Sequence, residues 1–120
     1  MRLGSKIALV TGAGGGLGGA TAIRFATEGA KVVCSDIDLA KAEKTVSMIE
    51  SRGGTAIAHQ CDIADPAQCN AQVEKAVTCF GRLDVLVNSA GVSLHKLALD
   101  TTIEDWSRVL NINLTGSFLT

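Results

Sequence analysis

Four short stretches of the chain are apolar without interruption: Ile7-Ala8-Leu9-Val10, Val32-Val33-Cys34, Ala56-Ile57-Ala58 and Val85-Leu86-Val87. None alternates apolar and polar residues, as a strand with one wet face does, so the runs predict parallel strands covered on both faces. Between them the apolar positions take a helical period. Leu39, Ala42, Val46 and Ile49 fall on one stripe of a helix ending near Gly53-Gly54. Cys69, Val73, Ala76 and Phe80 form a second stripe, with Asp65 as N-cap, Pro66 at the first helical position and Gly81 closing the helix. Thr101 or Thr102 caps a third pattern that carries Trp106, Leu110 and Asn113. The order β-α-β-α-β-α-β-α, wound by right-handed crossovers, predicts an α/β fold: a doubly wound parallel sheet of about four strands with flanking helices.

Residues 1–120 are one domain's worth of chain, with no linker, repeat or low-complexity tract. The last helical pattern runs through Gly116-Ser117-Phe118-Leu119-Thr120 without a stop signal. A four-stranded parallel sheet would also leave an apolar edge strand uncovered. Both features predict the N-terminal portion of a larger unit. The composition, 47% hydrophobic and 19% charged with a net charge of −1, fits a soluble globular core. Without a basic excess a nucleic-acid partner is not expected, and no apolar run has the length of a membrane span. Met1 to Lys6 leads straight into the first strand and leaves no room for a signal peptide. Cys34, Cys61, Cys69 and Cys79 show no C-x-x-C spacing and read as reduced thiols, which points to a cytoplasmic location.

The candidate chemistry begins at Thr11-Gly12-Ala13-Gly14-Gly15-Gly16-Leu17-Gly18, between the first strand and the first helix. Glycines there let a pyrophosphate approach the backbone beside the partially positive helix N-terminus. The run fits more than one register: Gly12, Gly16 and Gly18; Gly12, Gly15 and Gly18; or Gly14, Gly16 and Gly19. It therefore signals a dinucleotide without choosing a family. Asp36 ends the second strand at the distance from the loop where an acid meets the adenosine ribose. A carboxylate accepts hydrogen bonds from both ribose hydroxyls and repels a 2′-phosphate. Neither Ala13-Gly14-Gly15 nor Ile37 supplies a cation for that phosphate, which favours NAD over NADP. Asp38 can cap the next helix, leaving Asp36 free.

Three more segments, Cys61-Asp62-Ile63, Val87-Asn88-Ser89-Ala90-Gly91 and Asn111-Ile112-Asn113-Leu114-Thr115-Gly116, complete a pattern with the glycine run. Together they resemble the short-chain dehydrogenase/reductase family in its compact single-domain branch, over the first half of a typical member. The branch with T-G-x-x-x-G-x-G carries N-N-A-G after the fourth strand, and Asn88-Ser89-Ala90-Gly91 differs from it only at Ser89. This selects Gly12, Gly16 and Gly18. The resemblance implies a Rossmann-like fold and an NAD-dependent oxidoreductase acting on a small-molecule alcohol or carbonyl, a homo-oligomer in its full-length form. Thr11 and Gly12 to Gly18 would hold the pyrophosphate, with the Leu17 amide as a donor. Asp62 would bind the adenine amino group, and Ile63 would pack on the ring. Asn88 would brace the Thr11 turn, while Ala90 and Gly91 line the way to the nicotinamide ribose. Asp84 would be the structural acid before the fourth strand. Asn113 would be the active-site asparagine, its main-chain carbonyl holding a water of the proton relay.

The same resemblance assigns acid–base catalysis to a tyrosine whose phenol, ordinarily ionising near pH 10, is activated by a nearby lysine. The 120 residues contain no tyrosine. The alternative to a dehydrogenase half is thus a catalytically inactive fragment that binds nucleotide or a partner. Another Rossmann-like enzyme, such as a methyltransferase, would not need Asn88-Ser89-Ala90-Gly91 and Asn113 together. His59 and His95 match no metal or triad arrangement, no metal site is expected, and Trp106 reads as a packing residue.

Overall fold

The computed structural model describes residues Met1–Thr120. Strands β1 (Ile7–Thr11), β2 (Lys31–Asp36), β3 (Thr55–Gln60) and β4 (Val85–Val87) pair in parallel in the order β3-β2-β1-β4. Helices α1 (Gly16–Thr27), α2 (Leu39–Glu50) and α3 (Pro66–Phe80) make the crossovers. Beyond β4 follow a single 3-10 turn (Ala98–Asp100), α4 (Ile103–Leu110), a π-helical segment (Asn111–Thr115) and α5 (Gly116–Leu119).

The four uninterrupted apolar runs are the four strands, and the packing shows why they lack polar positions. Val10, Val32, Cys34 and Ala56 meet Ala22 and Ala26 of α1 and Ile49 of α2. Their neighbours Leu9 and Val33, with Ile57 beside them, turn to the opposite face and pack on Ala76 of α3. Successive side chains alternate between two helical layers, so both parities must be apolar. Burial pushes the Cys34 thiol up to about 12, as expected of a small apolar filler in such a layer.

The caps follow the sequence signals. Asp65 accepts from the N–H groups of Ala67 and Gln68, Pro66 begins α3, and Gly81 ends it at φ 89°. Thr102, rather than Thr101, caps α4, and Asp105 completes a capping box by returning its carboxylate to the Thr102 N–H. The stripes are less apolar than periodicity predicts. On α2 the buried positions are Ala42, Thr45 and Ile49, while Leu39 is exposed. Thr45 is tolerated because its hydroxyl donates to the Ala13 carbonyl at 2.8 Å. On α3 Gln72 is fully buried, accepting from the Ser35 hydroxyl at 2.6 Å and donating to Thr120 Oγ1 at 3.3 Å. Trp106 packs against no core of this chain; it is 61% exposed, alongside exposed Ile103, Leu114 and Phe118.

Strand β4 has only three residues and sits at the sheet edge, pairing with β1 alone. Side chains hold it at both ends. At its start the Asp84 carboxylate accepts the Ile7 N–H at 2.8 Å and the Arg82 Nε at 2.9 Å. At its end the buried Thr11 hydroxyl accepts the N–H groups of Ser89 and Ala90, each at 3.1 Å, and donates to the Val87 carbonyl at 3.4 Å.

Thr11→Val keeps the shape but leaves two amides without an acceptor, a loss of about 1–3 kcal/mol. Urea denaturation should show that loss for Thr11→Val and little change for Thr11→Ser; equal stability of the valine variant would refute the clamp. The Arg82 side chain and then the Ile7 N–H hold the Asp84 carboxyl below its ordinary value of 3.8. A depressed carboxyl contributes stability above its unfolded-state value and loses it as the pH falls through the lower folded-state value. Unfolding midpoints measured down through pH 4 should therefore fall less steeply for Asp84→Asn than for the parent chain.

Candidate functional site

Strand β2 lies on one side of β1 and β4 on the other, so the winding reverses at β1 and a crevice opens beyond the carboxyl ends of the strands. The glycine run turns the chain from β1 into α1 at this point. Gly12 (φ 65°) and Gly16 (φ 54°) adopt the left-handed conformation that side chains disfavour. A Cβ on Gly18 would lie 2.2 Å from the Gly12 carbonyl oxygen, whereas one on Gly15 would meet nothing within 4 Å. The turn thus disfavours side chains at Gly12, Gly16 and Gly18, and at Gly14 too, and the register that relies on Gly15 is the one it does not require. No side chain caps α1, and the N–H groups of Gly16, Leu17 and Gly18 donate to nothing within the chain. Unpaired amides at a helix start, in a loop no side chain fills, suit an anion.

Asp36 stands beside that loop, but it is not free. Its Oδ2 accepts the Gly14 N–H at 2.8 Å and its Oδ1 accepts the Asp38 N–H at 2.9 Å. Asp38 does cap α2, through the Lys41 N–H at 3.2 Å. The two backbone contacts fix the orientation of the Asp36 carboxylate, while each oxygen keeps a lone pair for a further donor. Asp36, Thr11, Gly12, Asp62, Ile63, Ala90 and Gly91 line one cleft together with Ser35, Ile37, Cys61, Val92 and Ile112. The Asp62 carboxylate accepts the Ala64 N–H at 2.9 Å, which settles the chain as it leaves β3. Ile63 is buried, so the apolar surface it shows is rigid. The Cys61 thiol is pushed up to about 12, first by burial and then by Cys69, and such a thiol is a poor nucleophile.

On the β4 side, one expectation changes. Asn88 does not brace Thr11; its side-chain amide donates to the Ser117 carbonyl at 3.2 Å, tying the strand end to α5. The Thr11 turn is braced by the main chain of Ser89 and Ala90. Because Ser89 contributes its N–H there, exchanging its side chain for the family's asparagine does not touch that contact. Asn113 lies in the π-helical segment, where its side chain pairs with the main chain of Val92 in both directions, each bond 2.8 Å. A Cβ on Gly91 would come within 3.1 Å of the same oxygen. Asn113 therefore seats the helix against the loop that lines the cleft, and its main-chain carbonyl accepts the Ser117 hydroxyl at 2.9 Å.

Gly18, Asn88 and Asn113 support the cleft without lining it, and the Leu17 side chain is exposed beside it, whereas Thr11, Gly12, Gly16, Asp36, Asp62, Ile63, Ala90 and Gly91 surround it or the adjoining opening over the glycines. Two residues escaped the pattern. Thr45 locks α2 onto the glycine loop, and Lys41 lines the opening with Gly14, Gly15, Gly16 and Asp36. Their place on the same side of α2 as the Asp38 cap is the signal that could have revealed them. No group of three or more His, Cys, Asp or Glu side chains is placed to hold a metal. No helix is long and apolar enough to cross a membrane.

Comparison with known proteins agrees with this geometry. The family model for short chain dehydrogenases matches residues 6–120. The chain is 41% identical to D-threitol dehydrogenase of Mycolicibacterium smegmatis over 98% of its own length and 45% of that protein. It is also 41% identical to the 3-oxoacyl-[acyl-carrier-protein] reductase FabG of Thermotoga maritima, over 98% of this chain and 48% of that one. The crystal structure of a hydroxysteroid dehydrogenase from Escherichia coli superposes with a TM-score of 0.94 at 40% identity, covering 98% of this chain and 50% of the other. The chain spans about half the length of the relatives it matches. With a matched family model over nearly all its residues and a fold that superposes on a solved dehydrogenase, the chain belongs to the short chain dehydrogenase family.

Proposed function

We propose that residues 1–120 are the NAD-binding portion of an oxidoreductase that moves hydride between an alcohol or carbonyl substrate and nicotinamide. The observation that carries this reading is the pinned Asp36 carboxylate beside a glycine turn whose amides have no partner in the chain. Members of this family use nicotinamide dinucleotides, and the choice of NAD over NADP rests on Asp36. When bound, the nicotinamide ring accepts or returns the hydride. The amides of Gly16, Leu17 and Gly18 hold the pyrophosphate. Asp36 accepts from the ribose hydroxyls, and Asp62 and Ile63 form the adenine end of the cleft. Ala90 and Gly91 line the path to the reacting ring. Asn113 seats that path through Val92, and its main-chain carbonyl would join the proton relay by exchanging the Ser117 hydroxyl for a water.

Proton transfer in this reading needs a phenol, and none of these 120 residues is tyrosine. Turnover thus belongs to a longer protein, and this stretch by itself binds without catalysis. The exposed apolar side chains of α4 support a homo-oligomer in that longer form. The free cysteines support a cytoplasmic setting.

Calorimetric titration of the chain should give binding of NAD and at least about tenfold weaker binding of NADP, from the repulsion between Asp36 and a 2′-phosphate. Equal affinities would remove Asp36 from its role. In a full-length protein, Asn113→Ala should lower kcat about 100-fold through misplacement of the cleft wall, with NAD affinity little changed. An unaltered kcat would end the catalytic assignment.

A further inference from the structure

The glycine loop and Ile37 supply no cation for a 2′-phosphate, yet the structure brings one from the next helix. One contact orders the start of α2 and a second fixes the helix against the loop. Asp38 caps its first turn, and the buried Thr45 hydroxyl donates to the Ala13 carbonyl at 2.8 Å. Lys41 lies between them, its stem against Gly14. A Cβ on Gly14 would come to 2.7 Å from Lys41 Cβ and to 2.7 Å from Asp36 Oδ2. Gly14 is thus the spacer between a carboxylate and a lysine, and all three line the same opening.

The two charges are held very differently. Asp36 has a backbone N–H on each oxygen and cannot swing aside. The Lys41 ammonium touches only Asp38, at 4.0 Å, and its side chain is 68% exposed. Such a contact is worth little and is easily exchanged. A 2′-phosphate on the ribose that Asp36 addresses would carry nearly two negative charges and would draw the lysine from Asp38.

We propose that Lys41 is a specificity-determining residue of the adenosine-ribose subsite, offering the ammonium for a 2′-phosphate while Asp36 alone opposes it. The discrimination between NAD and NADP is then a balance between a fixed anion and a mobile cation. Removing the anion's charge tips it toward NADP. This inference rests on the nucleotide-binding reading above.

The test is a calorimetric titration of the full 120-residue chain with NAD and with NADP, for the parent, Lys41→Gln, Lys41→Arg, Asp36→Asn and the double variant Asp36→Asn/Lys41→Gln. Lys41→Gln should weaken NADP about fivefold, leave NAD within about twofold, and be rescued by Lys41→Arg. Asp36→Asn should tighten NADP about tenfold or more, and the double variant should lose about fivefold of that gain. Raising the salt should weaken NADP more for Asp36→Asn than for the double variant. An NADP-to-NAD ratio unmoved by Lys41→Gln in both backgrounds overturns the proposal. Equal weakening of both ligands does so too, since it would make Lys41 a general phosphate contact. If the parent binds NAD, either of those results overturns the Lys41 assignment alone; if it binds neither dinucleotide, the nucleotide reading falls and takes this one with it.

Discussion

One hydroxyl joins the two halves of the crevice. Thr11 ends β1, and its oxygen gathers the carbonyl of Val87 and the N–H groups of Ser89 and Ala90 at the end of β4. Gly12, one residue on, packs so tightly on Ala90 that a Cβ would lie 2.8 Å from its backbone. The glycine turn on one side and the Ala90-Gly91-Val92 wall on the other are therefore positioned from the same two residues. A parallel sheet reverses its winding only where neighbouring strands diverge to opposite sides, and such a gap holds a ligand only if its lips keep their spacing. Here the spacing is set by hydrogen bonds to a buried oxygen, with little freedom to relax.

The polar side chains around the crevice repeat this economy. Asp36 is oriented by two backbone amides, Asp62 by one, and Asn113 by a reciprocal pair with Val92. In each case the side chain is held by main-chain groups: Asp62 by a residue two positions on, Asn113 by a distant loop, and Asp36 by one of each kind. Such side chains need little reorganisation when a ligand arrives, which is how a site gains affinity without adding contacts. Lys41 is the exception, a long and loosely tethered cation among fixed neighbours.

Much of this was legible from residues alone, for reasons that also explain the failures. Uninterrupted apolar runs identify strands buried on both faces, and Asp65-Pro66, Gly81 and Thr102 mark helix ends by local chemistry that tertiary structure rarely overrides. Thr45 and Gln72 lie outside the apolar stripes because periodicity treats a polar residue as exposed, whereas both find partners in other segments, Ala13 and Ser35. Asn88 was assigned to the wrong neighbour, since a side-chain amide can reach either way from a strand end. The proximity of Lys41 to Asp36 across Gly14 is a three-dimensional fact that linear spacing does not encode. The roles of Asp62, Ile63, Asn88, Ala90, Gly91 and Asn113 drew their force from family likeness, whereas the NAD reading rested on the placement of Asp36, which two backbone amides hold rather than leave free.

The π-helical segment at Asn111–Thr115 has a consequence for the chain's arithmetic. An α-helix advances about 100° per residue, and a turn closed over five residues accommodates one residue more than the regular lattice. Ile112 reaches the cleft and Asn113 reaches Val92. Gly116 lies so close beneath Ile63 that a Cβ would sit 2.8 Å from its side chain. These three contacts hold in one phase only. Restoring regular pitch without removing a residue would rotate everything after the segment by about 100°, turning Gly116 away from Ile63 and bringing a side chain round in its place. The helix is thus indexed by residue count rather than by length, and the segment works as a vernier between the sheet behind it and whatever the following helix face meets.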